Sequence, residues 1–213
     1  MLVFYEWIEV IGMARKGLNQ DKVVEAAMRL MEEKGYDKFS LRELANSLGI
    51  KAASLYNHIE NIDGLYLEAG KRAAAMLIDR QKEAIAGLGR REALVALAVS
   101  QRSFVFEHPE LYKAIMALAD IEIKYGMADV TPHITEPTMA VLEMYGLSDE
   151  QKINWQRFIR STIHGFITFE EAGWFKYYPV SHEESYSLAV THFADALEAL
   201  AAENAKKQDG SLS

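Results

Sequence analysis

The stretch that most constrains this chain runs from Ser40 to Leu65, SLRELANSLGIKAASLYNHIENIDGL. Leu41, Leu44, Ala45 and Leu48 recur at helical spacing and give one apolar face. Ser40 has the side chain of an N-cap, and Glu43 three residues on completes a capping box. Gly49 can take the left-handed conformation that ends a helix. Ala52, Ala53, Leu55, Tyr56 and Ile59 open a second short helical pattern, and Asn61 caps a third helix with Asp63 in its first turn. Two short helices across a glycine turn form a helix-turn-helix pattern, whose second helix such motifs place in the DNA major groove. The same pattern occurs in ordinary helical bundles, so periodicity alone leaves both readings open.

The run Leu55-Tyr56-Asn57-His58-Ile59 adds to this reading. It resembles the Leu-Tyr-x-His-aromatic run in the DNA-binding domain of the TetR family of bacterial repressors, and the similarity extends back through LNQDKVVEAAMRLMEEKGYDKFSLRELA. Ile59 replaces the usual aromatic. Ile62 stands where the family carries a phosphate-contacting Lys, so that contact is not carried over.

The resemblance implies DNA-binding roles for seven residues. Lys51 and Asn57 are candidates for base edges, because Lys donates to guanine and Asn pairs with adenine. Arg42 occupies a position that contacts a base or a phosphate in relatives. Ser40, Ser54, Tyr56 and His58 are assigned to phosphates. Ala52 and Ala53 offer only methyl groups, so shape readout is expected to matter. Tyr56 reads alternatively as a core residue with its hydroxyl at the surface, His58 as a helix C-terminal residue favoured by the dipole, and Lys51 as a solvated cation.

A formal charge of −8 over 213 residues appears at odds with a nucleic-acid partner, but the distribution resolves this. Residues 12–72 hold ten Lys or Arg against nine Asp or Glu, a net +1, whereas 1–11 carry −2 and the remainder −7. The acidic excess therefore lies outside the helix-turn-helix segment. No cysteine is present, which removes disulfides and thiolate chemistry and fits a reducing, cytoplasmic setting. No apolar run reaches the length of a membrane span, so no membrane association is expected.

The first twelve residues, MLVFYEWIEVIG, are apolar and acidic and lack the basic start of a signal peptide. MARKGLN from Met13 resembles a normal start for the family, which makes Met13 the expected native start. Asn19 caps an expected helix over 20–34, ended by Gly35, and Phe39 plugs the small core. A long helix from Asn61 to about Ile85 leaves this domain and enters a second. Further helices are expected over 90–107, 110–125, 132–145, 151–172 and 181–203, with no strand pattern and a polar tail, AKKQDGSLS, expected to fray. The expectation is an all-α chain: a three-helix helix-turn-helix domain over 13–72 and a larger helical effector-binding and dimerisation domain over 73–205.

Arg160, Ser161, His164, Gly165, Phe166, Glu170, Gly173 and Phe175 resemble the Arg-Ser-x-x-His-Gly-Phe segment and following Glu-x-x-Gly-x-Phe of a TetR subgroup of the WHG type. The resemblance implies dimerisation through the last two helices. Excess apolar residues there point the same way. Phe158, Phe166, Ala189, Phe193, Ala196, Leu197 and Leu200 are the candidate dimer residues. Candidates for an effector pocket are Phe104, His108, Tyr112, Met116, Trp155, His164, Phe169, Trp174 and Tyr178, which join apolar walls to a few polar handles. Core packing has the same composition, and His164 reads equally as a buried structural histidine beside Gly165, where a neighbouring helix comes close.

Enzyme chemistry finds no assembled constellation. The six histidines show no metal-ligand spacing, adjacent Glu170 and Glu171 point about 100° apart on a helix, and no glycine-rich phosphate loop is present. Neither a metal nor a cofactor is expected. The sequence thus reads as a homodimeric, ligand-responsive transcriptional repressor with a double-stranded DNA operator and a small-molecule effector as partners. A helical dimer that binds a small molecule or acts as a scaffold, without sequence-specific DNA binding, is the alternative.

Overall fold

The computed structural model describes residues 17–126, 132–208 and 210; the expectation that residues 1–12 precede the native start lies outside them. Every regular element among the described residues is helical. The helices are α1 (Gln20–Lys34), α2 (Leu41–Ser47), α3 (Ala52–Leu55), α4 (Ile62–Ile85), α5 (Arg90–Glu107), α6 (Pro109–Tyr125), α7 (Glu136–Glu143), α8 (Asp149–Glu171) and α9 (His182–Gln208). None is long and apolar enough to cross a membrane.

Helix starts follow from side chains that satisfy the first backbone N–H groups. The Asn19 side chain accepts from Lys22 N, and that of Asn61 from Gly64 N at 2.8 Å. Ser40 with Glu43, and Ser148 with Gln151, form reciprocal capping boxes. The 132–145 segment departs from the single helix expected. A 3₁₀ turn over His133–Thr135 precedes α7, because Pro137 has no N–H to donate to a longer helix and suits only a first turn. The tail departs in the other direction. Helix α9 continues through Gln208, with Lys207 paired to Glu203 one turn back.

These elements form two compact units. The first contains α1, α2, α3, α4 as far as Ala74, and α6. Its core joins Val23, Val24, Ala27 and Met31 of α1 to Leu44 and Ala45 of α2, Leu55 of α3 and Leu65 of α4. Phe39 fills it as expected and meets Tyr66 edge-on at 6.0 Å. This packing unit is larger than the 13–72 segment, since α6 lies against α1. Tyr36 N donates to Glu110 at 2.7 Å, His108 Nδ1 lies 2.6 Å from Glu32, and Lys124 pairs with Asp63. Between these ends, Gly70 lets α4 and α6 approach closely: a Cβ there would lie 2.7 Å from Leu118 Cδ2 and 3.0 Å from the Ala114 carbonyl oxygen.

The second unit contains α4 from Ala75, α5, α7, α8 and α9. Helix α5 is its centre and packs on α7, α8 and α9. Gln81 of α4 and Gln101 of α5, both buried, meet at 3.3 Å, and Arg80 grips Glu107 through two bonds of 2.7 Å. Arg102 of α5 holds Glu170 of α8 at 2.9 and 2.6 Å, and Tyr186 of α9 donates its hydroxyl to the Ala98 carbonyl at 2.7 Å.

The Gly70 contact makes a stability prediction. Gly70→Ala gains helix propensity of about 1 kcal/mol but meets one side chain and one backbone oxygen, an overpacking cost of roughly 1–3 kcal/mol. Urea unfolding is expected to show a net loss of stability for this variant. The loss should shrink when the same change is made in a Leu118→Ala background, because one of the two clashing groups is then gone.

Candidate nucleic-acid interface

A four-residue helix cannot hold itself, so α3 is positioned by what it buries. Leu55 is fully buried and Ile59 nearly so, which makes the replaced aromatic a core position. The turn from α2 is set by Gly49 at φ +65°. After Leu55 the backbone continues in tight turns, with His58 N and Ile59 N both bonding to the Leu55 carbonyl. The second motif helix is thus one regular turn shorter than its apolar pattern suggests. Residues 56–58 lie in this turn, with the Tyr56 and Asn57 side chains exposed and that of His58 partly so.

With Leu55 and Ile59 inward, Lys51, Ala52, Ala53, Tyr56 and Asn57 are left outward. Tyr56 is 59 % exposed, which removes the core reading of its ring. Ser54 and His58 are half-buried, and His58 lines a shallow cleft with Gln20, Ile59, Gly64 and Glu68. The surrounding cations are mostly committed: Arg29 to Glu25, Lys34 to Glu43, Lys71 to Glu68, Arg72 to Asp21 and Lys124 to Asp63. Arg42 and Lys51 are exposed and have no ion-pair partner among the described residues. The motif therefore presents two unneutralised cations beside an exposed phenol and amide, the donor set that phosphates and base edges require.

Ser40 is placed differently from the rest. Its N–H and hydroxyl both donate to the Glu43 carboxylate, at 2.8 and 2.9 Å, and its hydroxyl oxygen accepts from Glu43 N at 3.2 Å. The hydroxyl is committed to the cap. The carboxylate it serves is held down to about 2, first by the Lys34 side chain and then by Ser40. Ser40 is thus the N-cap of α2 in the structure.

The effector candidates are divided between the two units. His108, Tyr112 and Met116 belong to the first unit, where His108 is paired with Glu32, Tyr112 is buried and Met116 is exposed. Phe104, Trp155, His164, Phe169, Trp174 and Tyr178 belong to the second. Phe104 is shut in the core, Trp155 and His164 are half-buried, and Phe169, Trp174 and Tyr178 are exposed. Of these, Phe169 and Trp174 meet edge-on at 6.2 Å, and Tyr178 lines a cavity of about 140 Å³ with Phe166, Phe175, Val180 and His182. A groove of about 610 Å³ between α5 and α9, lined by Val95, Val99, Arg102, Tyr186 and Leu188, uses none of the candidates. Its residues lie on two helices about ninety positions apart, which no local pattern connects.

The dimer candidates also divide. Phe158 and Ala196 are exposed, and Ala189 and Leu200 are half-buried. Phe193 and Leu197 are buried within their own unit, and Phe166 packs on Phe175 and Tyr186 at 4.9 and 5.2 Å. Phe193 and Leu197 pack inside the subunit, because α9 turns the 190, 193, 194 and 197 stripe inward, whereas Phe166, on α8, stays half-buried. Leu188 is exposed on the opposite stripe of α9.

Two predictions come from these placements. Ser40→Ala should cost about 1 kcal/mol of unfolding free energy, as for other lost N-caps, while Ser54→Ala should leave stability unchanged in the same urea titration. Burial, and secondly Arg160, lowers the His164 pKa below its ordinary 6.5. The unfolded chain then binds that proton more readily than the folded one, so stability is fully present above pH 6.5 and falls as pH drops below it. His164→Gln should flatten the decline of the urea midpoint between pH 7.5 and 5.5.

Comparison with known proteins agrees with this geometry. Residues 23–69 match the description of bacterial regulatory proteins of the tetR family, and residues 94–193 that of a tetracyclin repressor-like C-terminal domain. The HTH-type transcriptional regulator Rv0681 of Mycobacterium tuberculosis, itself uncharacterised, is 32% identical over 158 residues, 73% of this chain and 72% of that protein. The crystal structure of Mycobacterium smegmatis BioQ superposes with a TM-score of 0.64 at 20% identity, covering 85% of this chain and 99% of that one. BioQ solved with its natural double-stranded DNA operator gives 0.63 at 20% identity, covering 86% and 99%. At that identity the two structures speak for the fold alone. The similarity to the mycobacterial regulator runs through most of both chains, and with it this chain belongs to the TetR family of bacterial regulatory proteins.

Proposed function

We propose that this regulator acts as a dimeric repressor, holding two half-sites of a palindromic operator and releasing them when a small molecule binds. The observation that carries the DNA side is the outward set on and beside α3. Lys51, Tyr56, Asn57 and Arg42 are exposed on a motif whose inward residues fix its position, and neither cation has an ion-pair partner among the described residues. BioQ, which shares the fold, is solved with its operator. Lys51 and Asn57 take base edges in this reading, Arg42 a base or phosphate, and Ser54, Tyr56 and His58 phosphates. With Ala52 and Ala53 the only other groups on α3's outer face, few direct base contacts are available, and DNA shape supplies part of the specificity.

Residues 13–72 are the DNA-binding module in this reading, and 73–205 take the effector and the second copy. Within that larger part we place the chain in the WHG-type subgroup. Three of its signature residues do work that explains their type: Glu170 receives Arg102, Gly173 turns the chain at φ +78°, and Phe175 packs against Phe166 and His182. His164, which burial and Arg160 hold toward its neutral form, is one of the effector's polar contacts in this reading. Effector binding favours a state with the wrong spacing of the two recognition helices, and α4, continuous from Ile62 to Ile85, is the coupling element.

The test is a selection of bound fragments from random and host DNA at stated salt. A palindrome with half-site centres about 34–36 Å apart is expected. Recovery of nothing above background, also after refolding to strip any bound small molecule, would sink the reading. On the recovered operator, Tyr56→Ala should weaken binding about tenfold or more, the size of a lost hydrogen bond to a charged group, with dimer mass unchanged. Lys51→Ala should cost about 1–3 kcal/mol of binding free energy and relax the preference at the base pair it reads.

A further inference from the structure

The groove of about 610 Å³ between α5 and α9 has no part in the function proposed above. Its α5 wall is Val95, Val99 and Ser103, which recur every four residues and share one face. These side chains are too short to fill the space to α9. Tyr186 sets the separation instead. It is buried, and its hydroxyl reaches from α9 to the Ala98 carbonyl at 2.7 Å, so its ring stands between the two helices. The α9 wall adds Leu188 and Val190. Val99 stays 52 % exposed and Leu188 59 %, so two apolar side chains face the groove largely uncovered. The volume falls within the roughly 300–1,000 Å³ that small-molecule sites occupy.

Charge decides what kind of molecule suits it. Arg102 lines the groove, over the Tyr186 ring at 5.6 Å, but its charge is already met. It holds Glu170 through two bonds of 2.9 and 2.6 Å, and the Glu170 side chain is only 8 % exposed. An anion that drew Arg102 away would strand a buried carboxylate, which is costly. Glu183 and Glu184 also line the groove, are exposed, and have no ion-pair partner among the described residues. Carboxylates suit the first turn of any helix through its dipole. Here they also border an apolar groove whose one cation is neutralised, so the groove carries an acidic surplus.

We infer that the groove binds an amphipathic organic cation, its apolar body between Val95, Val99 and Leu188 and its protonated amine at Glu183 and Glu184. From Val95 to Ser103 the α5 wall is about 12 Å long, which suits an extended chain or a flat ring system. The body covers the exposed valine and leucine surface, and the amine answers the surplus of negative charge. The site uses none of the residues assigned above to the operator or to the effector, and its occupation needs no DNA.

The experiment titrates the full chain by calorimetry with decylammonium, decanol and decanoate, three probes with the same tail and different heads. Decylammonium should bind about tenfold or more tighter than decanoate, with decanol between them, and the preference should shrink as salt is added. Glu183→Gln combined with Glu184→Gln should bring the three affinities to within about twofold of one another. Val99→Trp fills the groove and should abolish binding of all three, with circular dichroism, cooperative unfolding and the mass in solution unchanged. Ile123→Trp, on the exposed face of α6, should leave binding as in the wild type. Equal affinity for the three probes, or tighter binding of decanoate, overturns the cation assignment. No binding of any probe, or binding that survives Val99→Trp, overturns the site. A change of mass in Val99→Trp shows that a second copy covers the groove, and overturns it too. If Val99→Trp fails to fold, the glutamine variant decides, because both carboxylates are exposed. No DNA enters the titration, so its failure leaves the operator reading standing, and a failed operator selection leaves this one.

Discussion

The burial of Leu55 and Ile59 is the constraint on which the DNA-facing surface depends. A helix of four residues returns too few backbone hydrogen bonds to offset the entropy of nucleating it. The position of α3 is therefore a property of the core beneath it, in which Leu55 is fully buried and α3 packs on α2. Everything the motif offers to a nucleic acid is what remains when that packing is satisfied. The polar residues are outward because the apolar ones are inward, and the αL turn at Gly49 fixes the angle between the two short helices.

Helix α6 extends the same logic. Its ends are joined to α1 and to the start of α4 through Glu32–His108, Tyr36–Glu110 and Asp63–Lys124. Exposed ion pairs of this kind each contribute little to stability. The close backbone approach at Gly70 is the stronger determinant, because a Cβ there would strike Leu118 and the Ala114 carbonyl of α6. With contacts at both ends and in the middle, α6 is part of the body that carries α3. In the second unit α5 has the corresponding role. Arg102 on Glu170 and the Tyr186 hydroxyl on Ala98 attach α8 and α9 to it. Among the described residues the buried Tyr145 hydroxyl has no hydrogen-bond partner, and burial pushes its pKa up to about 12.

Much of this was legible in the sequence, for reasons that are local. Asn19, Ser40, Asn61 and Ser148 cap the helices they precede because a cap needs only a side chain and backbone three residues away. At Ser40 the cap is complete, with the hydroxyl also donating to Glu43. Pro137, a local signal that was passed over, explains why 132–145 is a turn and a short helix rather than one element. The effector set was the least legible part. Aromatic and Met residues at helical spacing say that a face is apolar, not whether it meets a core, a cavity or solvent, and the nine candidates divide among these fates.

The sequence by itself determined the helices, their caps and the helix-turn-helix pattern, together with a family resemblance carried by short runs of residues. Each of these is written in spacings of three or four residues, within reach of one helical turn. Tertiary structure alone decided that α6 joins the DNA-binding elements, since Asp63 and Lys124 meet across 61 positions. It also decided that Phe193 and Leu197 face inward while Phe158 and Leu188 face outward. Both helices are apolar on more than one side, and which side is covered depends on where the neighbouring helices lie. The two mid-helix glycines show the division clearly. The sequence marks Gly70 and Gly165 alike, and only the packing shows that one is filled from within the subunit and the other is open.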